Sequence, residues 1–500
     1  MAADTATSSE PPPRASRARL VSTYYDTPDH ALARRGSSLR VRRQGRKFVQ
    51  TLKSASVPGE SGLARGEWED RVKADRLDPN ASQTGPFLSP EIADQLKPLF
   101  RTEVTRTTIP LAPEPETRIE AAIDSGHIRN GSETPPEPIS EVELELKSGA
   151  PTALYDVALK LLHVAPLRLE RRSKAERGYR MAAHETDTPK VVHAQPTELQ
   201  VGVSGAIVLR RIGRACIDQL LGNERATLAG DVEGVHQMRV AVRRLRAILS
   251  AFAPLLPDDQ RRWASDELRW FGDVLGEARN LDVFAESLLP AARAALPTAS
   301  EFERLSIATQ RRRRMAHAGV IKAISSTHFT ETLLALLRWL DGDDWCSEGG
   351  EALRQPIGNS APFLLDRCRA QTEKRAKHFA EQTAKQRHKL RIALKKLRYT
   401  AELFAGLYDA GVTKQFIQRL KRLQDDLGDA NDVRVARDLV DSLAPSGRRA
   451  TGIAHAGRRM LTWHKERLAR NEANLREHLD ELLAAPPFWQ PNPPLQSAAD

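Results

Sequence analysis

A basic segment that recurs at a fixed spacing constrains the fold more than any other feature of the sequence. Residues 236–246 (HQMRVAVRRLR) align without a gap with residues 388–398 (HKLRIALKKLR), at an offset of 152 residues. The same offset pairs Phe252 with Phe404, so the register continues beyond the basic segment. Repetition at a fixed spacing indicates one structural unit used twice. We therefore predict an internal two-fold pseudo-repeat with a basic stripe in each copy.

Length and charge restrict the class of protein. A chain of 500 residues exceeds one ordinary hydrophobic core, which predicts two domains. Its 76 Lys and Arg outnumber 65 Asp and Glu, and this excess favours anionic partners: nucleic acid, phospholipid surfaces or inorganic polyanions. The cysteines (Cys216, Cys346 and Cys368) lack metal-ligand or redox spacing, and no apolar run reaches about 18 residues. We expect a cytoplasmic protein without a membrane span.

The hydrophobic period differs between the two parts of the chain. Up to residue 185, apolar and charged side chains alternate, as in residues 38–42 (SLRVR) and 141–147 (EVELELK), which is the period of a strand. From Leu199 apolar residues recur at three- and four-residue steps, which is the period of a helix. We predict an α+β N-terminal domain, an antiparallel β tunnel or barrel with flanking helices near residues 91–99 and 153–162, and then an all-α helical bundle.

Composition adds the domain boundaries. Pro189 and Pro196 indicate a linker, and five prolines among the last fifteen residues indicate a disordered tail. The predicted segments are an atypical, disordered N-terminus (1–19), the β domain (20–185), the linker (186–198), the helical domain (199–485) and the tail (486–500).

Charges along the strands suggest an inward-facing polar surface. Glu141, Glu143 and Glu145 lie on one strand face, about 6.8 Å apart, and three like charges in line favour cations opposite them. Arg40, Arg42 and Lys53 on other strands supply such cations. One solution is a barrel whose apolar face packs outward against helices while its charged face lines a water-filled tunnel. The alternative is the solvated face of an ordinary antiparallel sheet.

Five motifs in a fixed order carry a family resemblance. They are YYDTPD (24–29), LRVR (39–42), QTLK (50–53), EVELELK followed by Gly149 (141–149) and SKAERGY (173–179). Over residues 20–181 the chain thereby resembles the CYTH family of triphosphate tunnel metalloenzymes. The resemblance implies a tunnel that binds triphosphate with a divalent metal, and Mg²⁺- or Mn²⁺-dependent hydrolysis of inorganic triphosphate.

The resemblance also implies roles for individual residues. The residues expected to bind the phosphates are Arg40, Arg42, Lys53, Arg65, Lys147, Lys174 and Arg177. Those expected to serve the metal and its water are Glu67, Asp124, Glu141, Glu143 and Glu145. The catalytic assignments are Glu141, Glu143, Lys53 and Lys174.

One element of the family pattern is not found. The family begins with a Glu-x-Glu-x-Lys strand whose glutamates are principal metal ligands, whereas the residues before Tyr24 hold Glu10 alone, beside three prolines. We expect this first strand to be missing, the sheet to lack an edge partner, and the metal site and activity to be impaired.

The duplicated segments form cationic stripes. At about 100° per residue, His236, Arg239, Arg243 and Arg246 fall within an arc of about 80°, as do their counterparts from His388 onward. No acidic residue occurs in 235–257 or in 382–401. Solvated helical cations usually have acidic neighbours three or four positions away, so the pattern favours anion binding over a merely solvated face. Neither histidine has a partner at metal-ligand spacing.

A second shared element follows each stripe. Leu275-Gly276 and Leu427-Gly428, with Asn and Asp after them, suggest a turn and helix cap whose carboxylates could brace the cations. With both stripes, residues 199–483 resemble the CHAD family, which implies a helical bundle whose basic central groove binds inorganic polyphosphate. The residues expected there are His236, Arg239, Arg243, Arg244, Arg246, His388, Lys389, Arg391, Lys395, Lys396 and Arg398.

Three functions remain open from the sequence. The chain is a triphosphatase whose helical domain holds longer polyphosphate, or a non-catalytic polyphosphate-binding module, associated with polyphosphate granules, whose tunnel is vestigial. The third is nonspecific nucleic-acid binding, which the aromatic content of 5% disfavours because single-strand binders stack bases on aromatic rings. Oligomeric state, metal identity and chain-length preference are left undetermined.

Overall fold

The computed structural model describes residues 14–54, 66–131, 134–183, 188–195, 199–200, 202–296, 299–342, 345, 350–444 and 448–490. Arg65 and Glu10 lie outside these ranges. The chain divides into two compact units, Met1–Thr188 and Pro189–Asp500.

The first unit is built on an antiparallel sheet, as predicted. Its strands are β1 (Ser16–Asp26), β2 (Ser38–Gln44), β3 (Lys47–Lys53), β4 (Glu67–Val72), β5 (Lys97–Leu111), β6 (Arg118–Arg129) and β7 (Glu137–Ser148). They pair in the order β4-β3-β2-β1-β5-β6-β7. The flanking helices are α1 (Ala31–Arg34), α2 (Pro90–Ala93), α3 (Thr152–Leu162) and α4 (Lys174–Ala182). The sequence prediction of an antiparallel β domain with flanking helices is confirmed.

The two faces of the sheet differ in polarity. Paired residues share a face, and the register sets Arg40 beside Tyr24 and Thr51. The opposite face is apolar: buried Leu39, Val41 and Leu52 pack with residues of α1 and α2, and Ile119 packs with residues of α3. Glu67 on β4 and Lys147 on β7, at the two ends of the strand order, interact electrostatically. The sheet therefore curves around its charged face.

Two local predictions in this unit were wrong. The helix expected over residues 91–99 ends at Ala93, and β5 begins at Lys97. Phe100 pairs with Tyr24 across the sheet and its ring stacks on that tyrosine at 4.5 Å, which stabilises the segment as a strand. The sheet also begins at Ser16, ahead of the predicted start at Leu20.

The second unit is helical in its described residues. Its helices are α5 (Gly205–Gly222), α6 (Glu224–Leu228), α7 (Val232–Ala251), α8 (Asp258–Val283), α9 (Leu289–Ala295), α10 (Ala299–Ile324), α11 (Thr327–Asp341), α12 (Glu351–Arg354), α13 (Ile357–Ala376), α14 (Ala384–Phe404), α15 (Ala410–Leu443), α16 (Arg448–Arg470) and α17 (Glu472–Ala484). In the described part of the chain, no helix has the length and apolarity needed to span a bilayer.

The repeated segments adopt the same order of elements. Each has a basic helix (α7 or α14), a 3₁₀ turn (Ala253–Leu255 or Ala405–Leu407) and a long helix (α8 or α15). The two 3₁₀ turns differ by the same offset of 152. Fully buried Phe252 and Phe404 occupy equivalent positions, and their ring centroids lie 6.2 Å apart. Helices α7 and α14 therefore meet at equivalent residues.

The turn expected at each Leu-Gly pair is absent from the structure. Gly276 lies inside α8 and Gly428 lies inside α15, so both helices continue through the motif. At Gly276 the missing side chain makes room instead, because a Cβ there would lie 2.5 Å from Nη1 of Arg239. The glycine is thus explained by the close approach of a guanidinium and not by backbone reversal.

The tail also differs from its prediction where the structure describes it. Trp489 is 3% exposed, and its Nε1 donates a hydrogen bond to Asp366 Oδ1 at 2.7 Å. Its ring also packs edge-on against Phe416. Residues 486–490 are therefore packed on the helical unit through this tryptophan.

Candidate tunnel and helical anion sites

Helix α4 brings cations to the charged face of the sheet. Its Tyr179 is buried in an apolar cluster with Tyr24, Phe100, Ile128 and Ile139. A capping box fixes the start of the helix: Ser173 accepts a hydrogen bond from the backbone of Glu176, which in turn reaches the backbone of Ser173. These contacts hold Lys174 and Arg177 against the carboxylates of β6 and β7.

Lys174 is surrounded by three carboxylates. Its Nζ lies 2.8 Å from Asp124 Oδ2 and 2.7 Å from Glu143 Oε1, and it also contacts Glu141. Arg177 lies beside this group, with Nη1 3.3 Å from Glu141 Oε2 and Nε 2.7 Å from Glu137 Oε1. The ammonium therefore neutralises a cluster that would otherwise repel itself.

Arg106 on β5 is a site residue that the sequence reasoning missed. Its Nε and Nη2 donate to the two oxygens of fully buried Asp124 at 2.7 and 2.6 Å, and Nη2 also contacts Glu143 Oε2 at 2.5 Å. The arginine belongs to none of the five motifs. A signal was available, because strand alternation puts Arg106 on the face of buried Phe100 and Val104, where an unpaired cation is rare.

These cations favour the ionised forms of Asp124 and Glu143. Burial alone raises the pKa of Asp124, but the hydrogen bonds from Arg106 and Lys174 outweigh it and lower that pKa. At Glu143 burial is likewise outweighed, chiefly by the charge of Lys174, so its pKa is lowered too. One oxygen each from Asp124, Glu141 and Glu143 lies within 4.8 Å of the others, which is close enough to hold one metal ion. Carboxylate oxygens are the donors that Mg²⁺ and Mn²⁺ prefer.

The remaining predicted metal residues lie apart from this trio. Glu67 pairs with Lys53 at 2.9 Å, and Glu145 pairs with Lys147 at 2.6 Å. Both pairs are solvent-exposed to a considerable extent. The structure thus brings together three of the five predicted metal residues.

The other side of the charged face carries two arginines that form no salt bridge within the described part of the chain. Arg42 Nε donates to Ser22 Oγ at 3.3 Å, and Arg40 Nη1 lies 3.5 Å from the hydroxyl of Tyr24. Among the described residues, the buried Nε of Arg40 has no hydrogen-bond partner. Burial, reinforced by the charge of Arg40, lowers the pKa of Arg42 to about 10. Two partly buried guanidiniums therefore remain available to an anion.

A second cationic site lies where α7 meets α14. Arg239 and Arg243 of α7 interact electrostatically with Arg391 and Lys395 of α14. Within the described ranges, none of these four residues has an acidic group within 4.0 Å, so none forms a salt bridge. Burial is the largest cause of the lowered pKa of Arg239, about 10, and of Lys395, about 6, and the neighbouring arginines add to it. The site is therefore a cluster of cations on which Asp273 and Asp432 act only from beyond salt-bridge distance.

Tyr399 links the two repeats within this cluster. Its hydroxyl accepts a hydrogen bond from Arg243 Nε at 2.7 Å, and the guanidinium of Arg398 lies 4.7 Å from its ring centroid. The cation–π contact orients Arg398 and the hydrogen bond orients Arg243. One aromatic side chain thus fixes a cation from each copy.

The two histidines flank the cluster. Burial, with the charge of Arg279, lowers the pKa of His236, and the pKa of His388 is lowered chiefly by burial. His388 Nδ1 lies 2.8 Å from Asn431 Oδ1. A pocket of about 250 Å³ opens beside His388, and sequence reasoning missed most of its polar lining: Gln382, Arg387, Asn431 and Arg434. Both histidines therefore favour the neutral form more than a solvent-exposed imidazole does.

Four predicted residues of the stripes lie outside the cluster. Arg244 donates to Gln219 Oε1 at 3.2 Å, and Lys389 is exposed. Lys396 interacts with Cys368 and Arg367, and Arg246 with Asp273 and Arg269. These four residues belong to the basic stripes in the sequence but lie on parts of α7 and α14 that do not face the cluster.

Gly276 offers a test of the cluster's geometry. We expect Gly276→Ala to weaken polyanion binding about 5- to 20-fold, because the new Cβ displaces Arg239, while the alanine stabilises the helix by about 0.5–1 kcal/mol. The matched control is Gly428→Ala at the equivalent position of the second copy, where nothing lies within 4 Å of a Cβ. Titration with polyphosphate and thermal melts measure both effects. Equal binding by the two variants would contradict the role given to Gly276.

Comparisons with known proteins match each unit separately. The CYTH domain family matches residues 14–179, and the CHAD domain family matches residues 211–441. An inorganic triphosphatase of Haemophilus influenzae is 32% identical over 167 residues, which cover 33% of this chain and 47% of that protein. This chain therefore spans about half the length of that relative.

Two further similarities extend over the helical unit. An uncharacterized protein of Mycobacterium tuberculosis is 26% identical over 502 aligned positions, covering 93% of this chain and 89% of its own length. The crystal structure of the CHAD domain from the plant Ricinus communis superposes with a TM-score of 0.52 at 28% identity, covering 60% of this chain and 99% of that one. The chain therefore carries a CYTH domain over residues 14–179 and a CHAD domain over residues 211–441.

Proposed function

We propose that this protein hydrolyses inorganic triphosphate in its CYTH domain with a divalent metal, and binds polyphosphate in its CHAD domain. The observation that supports the first half best is the division of charge on one concave face. Three carboxylates stand on β6 and β7, and Arg40 and Arg42, which form no salt bridge with any described residue, stand on β2. A phosphoanhydride with its metal needs both kinds of charge at once.

The carboxylate trio fits Mg²⁺ or Mn²⁺ by its chemistry. Asp124, Glu141 and Glu143 would hold the ion, which when bound polarises a phosphoryl oxygen and lowers the pKa of a bound water. Arg40 and Arg42 would neutralise phosphate oxygens, and Arg106 keeps Asp124 ionised and oriented. Lys53 and Lys147, which are more exposed, would contact the outer end of the substrate. Arg177 anchors Glu141 at the inner end.

The CHAD cluster supports the second half of the proposal. Five cations from two helices converge here: Arg239, Arg243, Arg391, Lys395 and Arg398. Among the described residues, only Arg398 of the five forms a salt bridge, with Glu402 at 3.7 Å. Aromatic side chains that could stack bases are few there, and Tyr399 is already engaged by two arginines. A phosphate chain supplies the missing negative charge without requiring stacking, whereas single-stranded nucleic acid gains much of its affinity from stacking.

Phosphate release from tripolyphosphate tests the enzymatic half directly. The purified chain is incubated with tripolyphosphate and Mg²⁺ or Mn²⁺, with ATP and pyrophosphate as alternative substrates. Metal-dependent release that is fastest with tripolyphosphate supports the proposal. A chain that binds polyphosphate but releases no phosphate would favour a non-catalytic binding module, which the occupation of the carboxylate trio by Lys174 also suggests.

Lys174 occupies the oxygens that a metal ion would bind. Its Nζ contacts all three carboxylates, so a metal ion and this ammonium compete for the same oxygens. We expect Lys174→Met to bind Mn²⁺ about 10-fold more tightly than the wild type, because removing the cation leaves the carboxylates to repel one another. Titration followed by electron paramagnetic resonance measures free Mn²⁺ without any turnover.

The control for this prediction is Lys160→Met on α3. It removes one positive charge outside the trio and should leave Mn²⁺ affinity unchanged. Weaker Mn²⁺ binding by Lys174→Met would mean that Lys174 supports the metal and does not compete with it. Activity of the Lys174→Met variant is expected to fall. In the wild type, a metal that displaces the Lys174 ammonium from the carboxylates leaves it free to contact the phosphates, and the variant lacks this ammonium.

A further inference from the structure

Lys395 has the most strongly cationic surroundings in the helical cluster. Arg239 and Arg243 face it from α7, and His388, Arg391 and Arg398 act on it from its own helix. From α15 it interacts with Asp432, whose pKa is raised chiefly by burial. Within the described ranges no carboxylate lies within 4.0 Å of its ammonium. A lysine in this position cannot remain charged without cost.

The repeat itself marks this position as unusual. Lys395 is equivalent to Arg243 in the first copy, and Arg391 and Arg398 are equivalent to Arg239 and Arg246. Of these three positions in the second copy, two hold an arginine and only position 395 holds a lysine. An arginine stays protonated in proteins, whereas a buried lysine loses its proton readily. The second copy therefore holds the one of these residues that can respond by deprotonation.

We propose that the helical domain binds polyphosphate together with a proton, which is taken up by Lys395 at the meeting point of the two repeats. In the unbound protein Lys395 is neutral, so it adds no further repulsion to the four arginines around it. When phosphate oxygens reach the cluster, the charged form of Lys395 becomes favourable. The proton comes from solvent and stays on Nζ, and no bond to phosphorus is made or broken. This inference rests on the proposed polyphosphate binding by the CHAD domain.

The direction of the pH dependence follows from linkage. With a pKa of about 6 in the free protein, Lys395 is mainly neutral at pH 7 and 8. Bound polyanion raises that pKa, so binding takes up roughly 0.9 proton at pH 7. Affinity therefore falls as pH rises above 6, by at most about tenfold per pH unit, until the pKa of the bound form is reached.

Isothermal titration calorimetry in buffers of different ionisation enthalpy measures this uptake. Long-chain polyphosphate is the ligand, because its interior phosphates stay ionised from pH 6 to 9 and chain ends contribute little. Wild-type protein should take up close to one proton at pH 8. Lys395→Arg, which is charged throughout, should take up almost none, bind up to ~100-fold more tightly than wild type at pH 8 and bind within about twofold of wild type at pH 6.

The variants separate the possible outcomes. Lys395→Met, neutral throughout, should also lose the proton uptake, so the test does not depend on one substitution. Lys414→Arg, at an exposed lysine on α15, is the matched control and should behave as wild type. His236 and His388 are present in every variant, so their protons cancel in the comparison.

Two failures are distinguishable. If the wild type gives no binding heat and no displacement of a labelled polyphosphate, the proposed binding function falls. If the wild type binds but Lys395→Arg and Lys395→Met take up as much proton as it does, polyphosphate binding stands and the role of Lys395 is overturned.

Discussion

Glu143→Gln is expected to lower metal-dependent hydrolysis of tripolyphosphate at least 100-fold. Glu143 contacts both Lys174 and Arg106, and it contributes one of the three oxygens that could hold a metal. Its amide replacement keeps the size of the side chain but removes the charge. Removing a single group that stabilises charge in a transition state commonly costs about 10²–10³ in rate. Initial rates of phosphate release, at saturating Mg²⁺ and Mn²⁺, measure the effect.

The matched control for this variant is Glu103→Gln. Glu103 lies on β5 but on the other face from Arg106, where it pairs with Arg19 at 3.1 Å. Glu103→Gln changes the net charge by the same amount as Glu143→Gln and leaves the concave face intact. Its activity should therefore stay within about twofold of wild type. If Glu143→Gln retains a rate comparable to that of Glu103→Gln, the trio is not the metal site. Mn²⁺ titration of both variants shows whether metal affinity falls with the rate.

The Arg239→Ala/Arg391→Ala double variant is expected to weaken polyphosphate binding at least 100-fold. The two arginines are equivalent in the repeat and interact with each other across the seam. A hydrogen bond to a charged group contributes about 1.5–3 kcal/mol, and about 1.4 kcal/mol corresponds to tenfold in affinity. The dependence of affinity on salt should also become shallower, because fewer counterions are released. Binding is measured by competition at several salt concentrations.

A control with equal charge change isolates the cluster. Arg293→Ala/Arg312→Ala removes two exposed arginines that already pair with Glu303 and Glu277. Its affinity should fall less than threefold. The melting temperature of the Arg239/Arg391 variant without ligand should be unchanged or higher than wild type, because mutual repulsion is removed. A lower melting temperature together with weaker binding would instead indicate a damaged fold.

The sequence predicted the parts of the sites that lie in ordered motifs. Arg40, Arg42, Glu141, Glu143 and Lys174 stand at positions where strand alternation or a helix start fixes their direction. Their grouping on one face follows from antiparallel register, which the alternation of charge already implied. In the same way, the three-and-four spacing of the basic helices predicted which cations of each stripe share a face.

Other parts depended on contacts that no local pattern contains. The pairing of β5 with β6 sets Arg106 directly opposite Asp124. Gly276 resembled a helix end because glycine is common there, but its role is set by Arg239, 37 positions earlier in the chain. The segment around Trp489 was predicted to be disordered because it is rich in proline. In the structure, Asp366 on α13 accepts a hydrogen bond from the Trp489 indole. In each case the role of the residue is determined by a partner that is distant in the sequence.

Equivalent residues of α7 and α14 meet at both ends of their contact, Arg239 with Arg391 and Phe252 with Phe404, so the two helices run in the same direction. Helices that are parallel neighbours cannot be joined by a short loop, and here a whole repeat separates them. The anion site is therefore assembled only when both halves have folded and docked, against the repulsion of their own charges. The buried phenylalanines stabilise the contact between the two halves, and under the proposed function a bound polyanion would stabilise it further by neutralising the facing cations.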